Sequence, residues 1–246
     1  YTDVAGNLGT AGSDSALVDT QGPAAPTLAL TTDSGISGSD KITNVGALTV
    51  GGTETGATLQ YSTDGSSWSS SFTPAQGSNT VYVRQTDTAG NAPPASPELT
   101  FTYDTTAPSV TVDIAATALK AGETSSVTFT FSEAPQGFEL GDIASAQGSF
   151  SGLAATANPL VWTATFTPNT NIDDTATVTV TAGSYTDVAG NLGTAGSDTA
   201  LVDTQGPAAP TLALSNDSGI SDSDKITNDG TLTVGGTEPG ALVEYS

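Results

Sequence analysis

Val127-Thr-Phe-Thr-Phe131 and Ala176-Thr-Val-Thr-Val180 each alternate apolar and hydroxyl-bearing residues with a period of two. Successive side chains on a strand point to opposite faces, so each stretch offers one apolar face and one solvated face. The same alternation runs through Val110, Val112 and Ile114, and through Trp162, Ala164 and Phe166. Earlier it recurs at Leu48/Val50, Leu59/Tyr61, Val81/Val83 and Leu99/Phe101/Tyr103. Short strands with one apolar face predict antiparallel sheets packed face to face, an all-β Ig-like sandwich of about seven strands per domain. Trp68 and Trp162 read as core or core-edge residues.

Composition agrees with strands and turns. The 246 residues include 43 Thr, 28 Gly and 13 Pro, a mixture poor in helix formers. Acids outnumber bases 26 to 4, for a formal charge of −22, and 19 of the acids are Asp, a residue of turns rather than helices. Such a chain repels nucleic acid and anionic membrane surfaces, so neither is an expected partner. Cys, Met and His are absent, which excludes thiolate zinc sites, disulfides, cysteine nucleophiles and Ser-His-Asp triads. A domain without disulfides needs another staple, and a metal ion is one option. No apolar run is long enough to span a membrane.

Internal repetition organises the chain. Residues 1–62 align without gaps to 185–246, with 52 of 62 positions identical, so the sequence reads as a window of a longer tandem array. Three Asp-Thr-x-x-Pro stretches punctuate it, Asp19–Pro23, Asp104–Pro108 and Asp203–Pro207, and read as linkers stiffened by proline. They divide the chain into the C-terminal strands of a preceding domain (1–20), complete Ig-like domains at 21–104 and 105–204, and the N-terminal part of a further domain (205–246).

The acids gather in particular loops. Thr2–Asn7 and Thr186–Asn191 both read TDVAGN, and Thr86–Asn91 reads TDTAGN. The last two lie between the final two strands of each complete domain, at the pole where the chain enters. The A–B loop Asp33–Asn44 carries Asp33, Asp40 and Asn44, and it returns as Asp217–Asn228 with Asp217, Asp222 and Asp224. That loop is expected to lie beside Asp104, where the chain leaves domain 21–104. Facing it are Asp187, Asn191 and Glu133 from the B–C stretch FSEAPQGFELGD, whose other candidate is Asp142. The preceding junction would use Asp19, Asp64, Asp87 and Asn91, with Asp3, Asn7 and Asp203 the corresponding residues elsewhere in the repeat. Converging carboxylates repel unless neutralised, and Ca²⁺ takes six to eight oxygen ligands from carboxylates, amides and backbone carbonyls. The plain alternative is that TDxAGN is only a turn, since Asp and Asn bond their own backbone readily. No EF-hand or nonapeptide calcium motif is present. Paired carboxylates could also hydrolyse glycosides, but the adjacent Asp173 and Asp174 would point to opposite faces of a strand, and no enzymatic activity is expected.

The stretches ALKAGETSSVTFTFSEAPQGFELGDI, WTATFTP and VTAGSYTDVAGNLGTAG resemble one family of bacterial Ig-like domains found in very large secreted adhesins. PTLALTTDSGISGSDKITN, LTVGGTETGATLQYSTDGSSW and NTVYVRQTDTAGN resemble a second family that alternates with the first. The resemblance implies extender repeats of Bap-like or RTX-type adhesins, exported to the cell surface and stiffened by Ca²⁺ at domain junctions. Neighbouring repeats of the same chain are then the expected partners, in support of cell adhesion or biofilm formation. Two other classes stay open: a glycan- or ice-binding module, and a filament or matrix subunit that associates laterally.

Overall fold

The computed structural model describes residues 1–244 and is almost wholly β. The chain divides into two compact units. The first comprises Tyr1–Pro108 with Pro135–Gly137 and Tyr185–Gly193; the second comprises Ser109–Ala134, Phe138–Ser184 and the described chain from Thr194 onward.

In the first unit, β1 (Thr27–Leu30), β2 (Ile42–Thr43), β3 (Leu48–Gly51), β4 (Thr58–Ser62), β5 (Gly77–Thr86) and β6 (Leu99–Tyr103) form two sheets. One is the β1–β3 pair, and the other has the order β2-β6-β5-β4, with β2 parallel to β6. Val81, Leu99 and Phe101 are buried, and Leu28, Leu30, Leu48, Tyr61, Phe72 and Tyr103 pack against them. The alternation read from the sequence therefore marks the core. Two expectations are corrected. Residues 21–104 carry six strands rather than about seven: Thr63–Gln76 holds no strand, and its first turn closes on Asp64, which accepts from Ser62, Ser66 and Ser67. The Asp33–Asn44 stretch is not a simple A–B loop: it contains β2, which crosses to the other sheet.

The second unit holds β7 (Val110–Ile114), β8 (Ala118–Lys120), β9 (Ser125–Phe131), β10 (Ile143–Ala144), β11 (Gly148–Ala155), β12 (Val161–Pro168), β13 (Asp173–Val180) and β14 (Gly196–Asp203). Sheet β7-β9-β12-β11 reproduces the A-B-E-D order of an Ig sandwich. Sheet β10-β13-β14-β8 reproduces C-F-G, with β8 added in parallel at the β14 edge. The core is drawn from both: Val127, Phe129 and Phe131 from β9, Ala164 and Phe166 from β12, Ala176, Val178 and Val180 from β13, and Val202 from β14. Phe138 lies outside any strand, yet it sits edge-on to Phe129 at 5.5 Å, Phe131 at 4.9 Å and Trp162 at 5.6 Å between ring centroids. Aromatic pairs in this geometry are favourable beyond the area they bury. Trp162 is half-buried at the rim of the core, as its place in the alternation suggested, and Trp68 is half-buried with the Arg84 guanidinium 4.3 Å from its ring centre.

The repeat separates what sequence dictates from what neighbours dictate. β15 (Thr211–Leu214) and β16 (Leu232–Gly235) pair in the same register as β1 and β3, Thr211 with Gly235 as Thr27 with Gly51. Ile226–Thr227, the counterpart of β2, forms no strand. Residues 1–20 carry the isolated bridge Thr2–Leu8, as the repeat at 185–204 carries Thr186–Leu192.

Phe129 is fully buried, so Phe129→Ala should cost roughly 3–5 kcal/mol of the second unit's stability. Urea unfolding should show the transition of that unit moved to lower denaturant; an unmoved transition would show that Phe129 is not at the centre of its core.

Candidate functional site

All three TDxAGN copies close the same turn. Asp3 Oδ1 accepts from the amides of Ala5 and Asn7 at 2.9 and 2.8 Å, and Oδ2 accepts from Asn7 Nδ2 at 2.8 Å. Asp87 repeats these bonds with Ala89 and Asn91. Asp187 Oδ1 accepts from the Asn191 amide at 2.9 Å, and its Oδ2 from Asn191 Nδ2 at 2.8 Å. The glycine of each copy adopts a positive φ of 89° to 92°, which L-residues rarely tolerate. The bonds from Asn7 and Asn91, side chain first, hold Asp3 and Asp87 below the usual carboxylate range.

The Asn side chain does a second job. Asn191 Nδ2 also donates to the backbone carbonyl of Asp104 at 2.8 Å, and Asn91 Nδ2 donates to that of Asp19 at 3.1 Å. Each turn is thereby fastened to an Asp-Thr-x-x-Pro linker. In each linker the Asp side chain caps its own bend: Asp19 Oδ1 accepts from the Gln21 amide, Asp104 Oδ1 from Thr106 and Asp203 Oδ1 from Gln205. Gln76 Nε2 also donates to Asp104 Oδ1.

Within the first unit the turn Thr186–Asn191 meets the loop that leads into β2. The Thr43 carbonyl accepts from the Asp104 amide at 2.9 Å, which puts the loop beside Asp104 as expected. Asn44 Nδ2 donates to Asn191 Oδ1 at 3.2 Å, the Ile36 amide to the Val188 carbonyl at 3.3 Å, and the Ser34 hydroxyl lies 2.8 Å from the Ala189 carbonyl. A Cβ at Gly35 would overlap the Val188 carbonyl oxygen, and one at Gly190 would come within 3.1 Å of the Gly35 Cα. Two glycines thus permit a backbone-to-backbone approach. Ser34, Gly35 and Gly190 were not foreseen as contact residues; the one signal for the first two is that Ser-Gly follows Asp in both loop copies.

Asp104 and Asp187 bring carboxylate oxygens within 4.8 Å of one another, with Asp187 only 1% exposed, and neither pairs with a basic side chain. The other acids distribute as follows. Glu133 is half-buried in the loop leaving β9, in the second unit. Asp19, Asp64 and Asp87 do not cluster. Asp64 instead gathers Ser62, Ser66 and Ser67 as donors, and the Ser67 and Ser66 amides above all hold it well below the usual range. Asp40 and Asp224 each cap the amide two residues on. Asp33 Oδ2 accepts from the Lys41 amide and Asp217 Oδ2 from that of Lys225, the two lysines having φ of 61° and 58°. The other oxygens, Asp33 Oδ1 and Asp217 Oδ1, are buried with no hydrogen-bond partner. An unsatisfied carboxylate oxygen is costly, and its recurrence in both copies suits a hard cation.

Comparison with known proteins bears on the second unit most directly. Residues 104–204 match the model of a bacterial Ig-like domain family. Among solved structures, one titled for FdeC, a broadly conserved Escherichia coli adhesin, is 17% identical with a TM-score of 0.30, the alignment covering 79% of this chain and 57% of that one. A Bacteroides ovatus protein from a mixed-linkage glucan utilization locus, in complex with a heptasaccharide, is 14% identical with a TM-score of 0.21, covering 73% and 47%. The chain thus spans about half the length of these structures. No curated protein matches it.

Asn91→Ala should raise the Asp87 pKa towards the usual carboxylate range. The turn's stability is present above the unfolded-state pKa of Asp and is lost as pH falls through the depressed folded value, so the variant loses its turn at higher pH. Carboxyl NMR titration of Asp87 reads this directly; an unchanged midpoint would contradict the assigned role of Asn91.

Proposed function

We propose that this chain is a structural extender segment of a secreted, cell-surface adhesin, built of successive Ig-like domains and stiffened by Ca²⁺. The reading gives it no catalytic role. The observation that carries it is the Asp104–Asp187 carboxylate pair, one member buried, held within 4.8 Å with no basic partner. Two ionised carboxylates at that spacing repel, and a divalent cation turns the repulsion into attraction. Asp104 and Asp187 are the proposed carboxylate ligands. Asn191 orients the pair by bonding the Asp104 carbonyl and the Asp187 side chain. A second position uses Asp33, whose buried Oδ1 lacks a donor, and Asp217 in the other copy. The bacterial Ig-like family match over 104–204 supports the adhesin setting. Among the described residues no helix is long and apolar enough to cross a membrane.

Extracellular calcium modules bind with dissociation constants of about 10⁻⁴–10⁻³ M, so the segment would be loose at cytosolic calcium and stiff after export. Small-angle scattering with calcium and then with EDTA should show the maximum dimension change and its distribution broaden on chelation. The double variant Asp104→Ala/Asp187→Ala should scatter as the chelated wild type does while keeping the unfolding transitions of both units. Identical curves with and without calcium would overturn the stiffening role.

A further inference from the structure

We propose that the cavity beside Trp68 is a binding subsite for one uncharged sugar ring, which stacks its apolar C–H face on the indole. The inference rests on neither calcium nor the extender reading. The cavity lies within the first unit, has a volume of about 270 Å³, and is lined by Tyr61, Trp68 and Phe72 together with Thr63, Ser69 and Ser71. Small-molecule sites start at roughly 300 Å³, so this one suits a single ring rather than a chain of them. Trp68 is set apart from the core. Tyr61 and Phe72 pack against Val81, Leu99 and Phe101, and Trp68 is not among the side chains that do so. Trp162, by contrast, lies edge-on to Phe138 in the second unit. A half-buried tryptophan outside the core keeps apolar ring surface for something else to cover.

The ring is held in place before any ligand arrives. Arg84 sets its guanidinium 4.3 Å from the indole centre, and Gln60 Oε1 fixes that guanidinium by accepting from Nε at 3.0 Å and from Nη2 at 2.7 Å. No acid pairs with Arg84 among the described residues, although the chain carries 26 of them. The cation therefore braces the ring from one face. The backbone is pinned on both sides of Trp68: the Ser67 amide donates to Asp64 Oδ1 at 2.7 Å, and Ser69 exchanges two bonds with Tyr61, at 2.7 and 2.9 Å. A platform ordered beforehand loses less entropy on binding. The hydroxyls of Thr63, Ser69 and Ser71 and the Trp68 indole N–H have no hydrogen-bond partner among the described residues. They are free to serve the hydroxyls of a sugar. Asp64 accepts from Ser62 and Ser67, which also line the cavity, and so places negative charge beside it. That charge, in a chain of −22, repels an acidic sugar and favours a neutral one.

The chain's two tryptophans make the test direct, because each gives its own indole N–H signal in an NMR spectrum. The isotope-labelled chain is titrated with glucose, galactose, N-acetylglucosamine and glucuronate, and Trp68→Phe assigns the two signals. At least one neutral sugar should move the Trp68 signal saturably in the millimolar range while that of Trp162 stays in place, and glucuronate should move it less. Ser69→Ala/Ser71→Ala leaves the indole and its brace untouched and should weaken binding several-fold. Arg84→Gln removes the brace and should weaken binding while the unfolding transition of the first unit is retained. A Trp68 signal unmoved by all three neutral sugars, one that moves together with Trp162, a stronger response to glucuronate, or a double serine variant that titrates like the wild type would each overturn the proposal.

Discussion

The aspartate of each TDxAGN stretch spends its carboxylate on its own turn, and in the copies at 86–91 and 186–191 the asparagine it holds then reaches a linker carbonyl. That pairing is the constraint on which the candidate site depends. Without Asp187, Asn191 has no fixed orientation, and its bond to the Asp104 carbonyl loses its geometry. Without that bond, nothing in the turn would fix the Asp104 backbone close to Asp187. The recurrence at Asp87, Asn91 and Asp19 shows the same device used twice with different neighbours. A turn and a site are therefore one object here: the bonds that close the bend also aim the groups a cation would need.

Much of the fold was legible because alternation with a period of two is a direct consequence of strand geometry. Val127, Phe129, Phe131, Val178 and Val180 are buried as their spacing required. Phe138 was not legible, since it lies in a stretch without periodicity and reaches the core only through the sandwich around it. Strand existence was also less legible than strand pattern. Ile42–Thr43 is a strand beside β6, and the same pair of residues at Ile226–Thr227 is not a strand. Of the candidate site, the letters singled out aspartates in turn-forming loops, of which Asp104 and Asp187 come within 4.8 Å of each other while Asp19, Asp64 and Asp87 do not cluster. Ser34, Gly35 and Gly190 could not, being small residues in loops rich in Ser and Gly, where close approach leaves no compositional mark. The double use of Asn191 could not be read either, because a hydrogen bond to a linker carbonyl depends on chain path.

A chain with four basic residues and 26 acids cannot compensate its acids internally, and the single ion pair among the described residues, Lys120–Glu123, lies on the surface. Backbone amides, hydroxyls and side-chain amides answer the carboxylates of Asp3, Asp64, Asp87, Asp104, Asp187 and Asp203. Asp104 and Asp187 remain close together, and Asp33 and Asp217 each keep one buried oxygen unanswered. The close pair and the two unanswered oxygens are what a calcium-stiffened extender would use and what a sandwich whose acids serve only its turns would not need.

The most direct measurement is a crystal structure of the chain grown with calcium, with anomalous difference density collected at long wavelength. The account predicts a peak between Asp104 and Asp187 with six to eight oxygen ligands at about 2.3–2.6 Å. A well-ordered map with water alone between those carboxylates at millimolar calcium would contradict it.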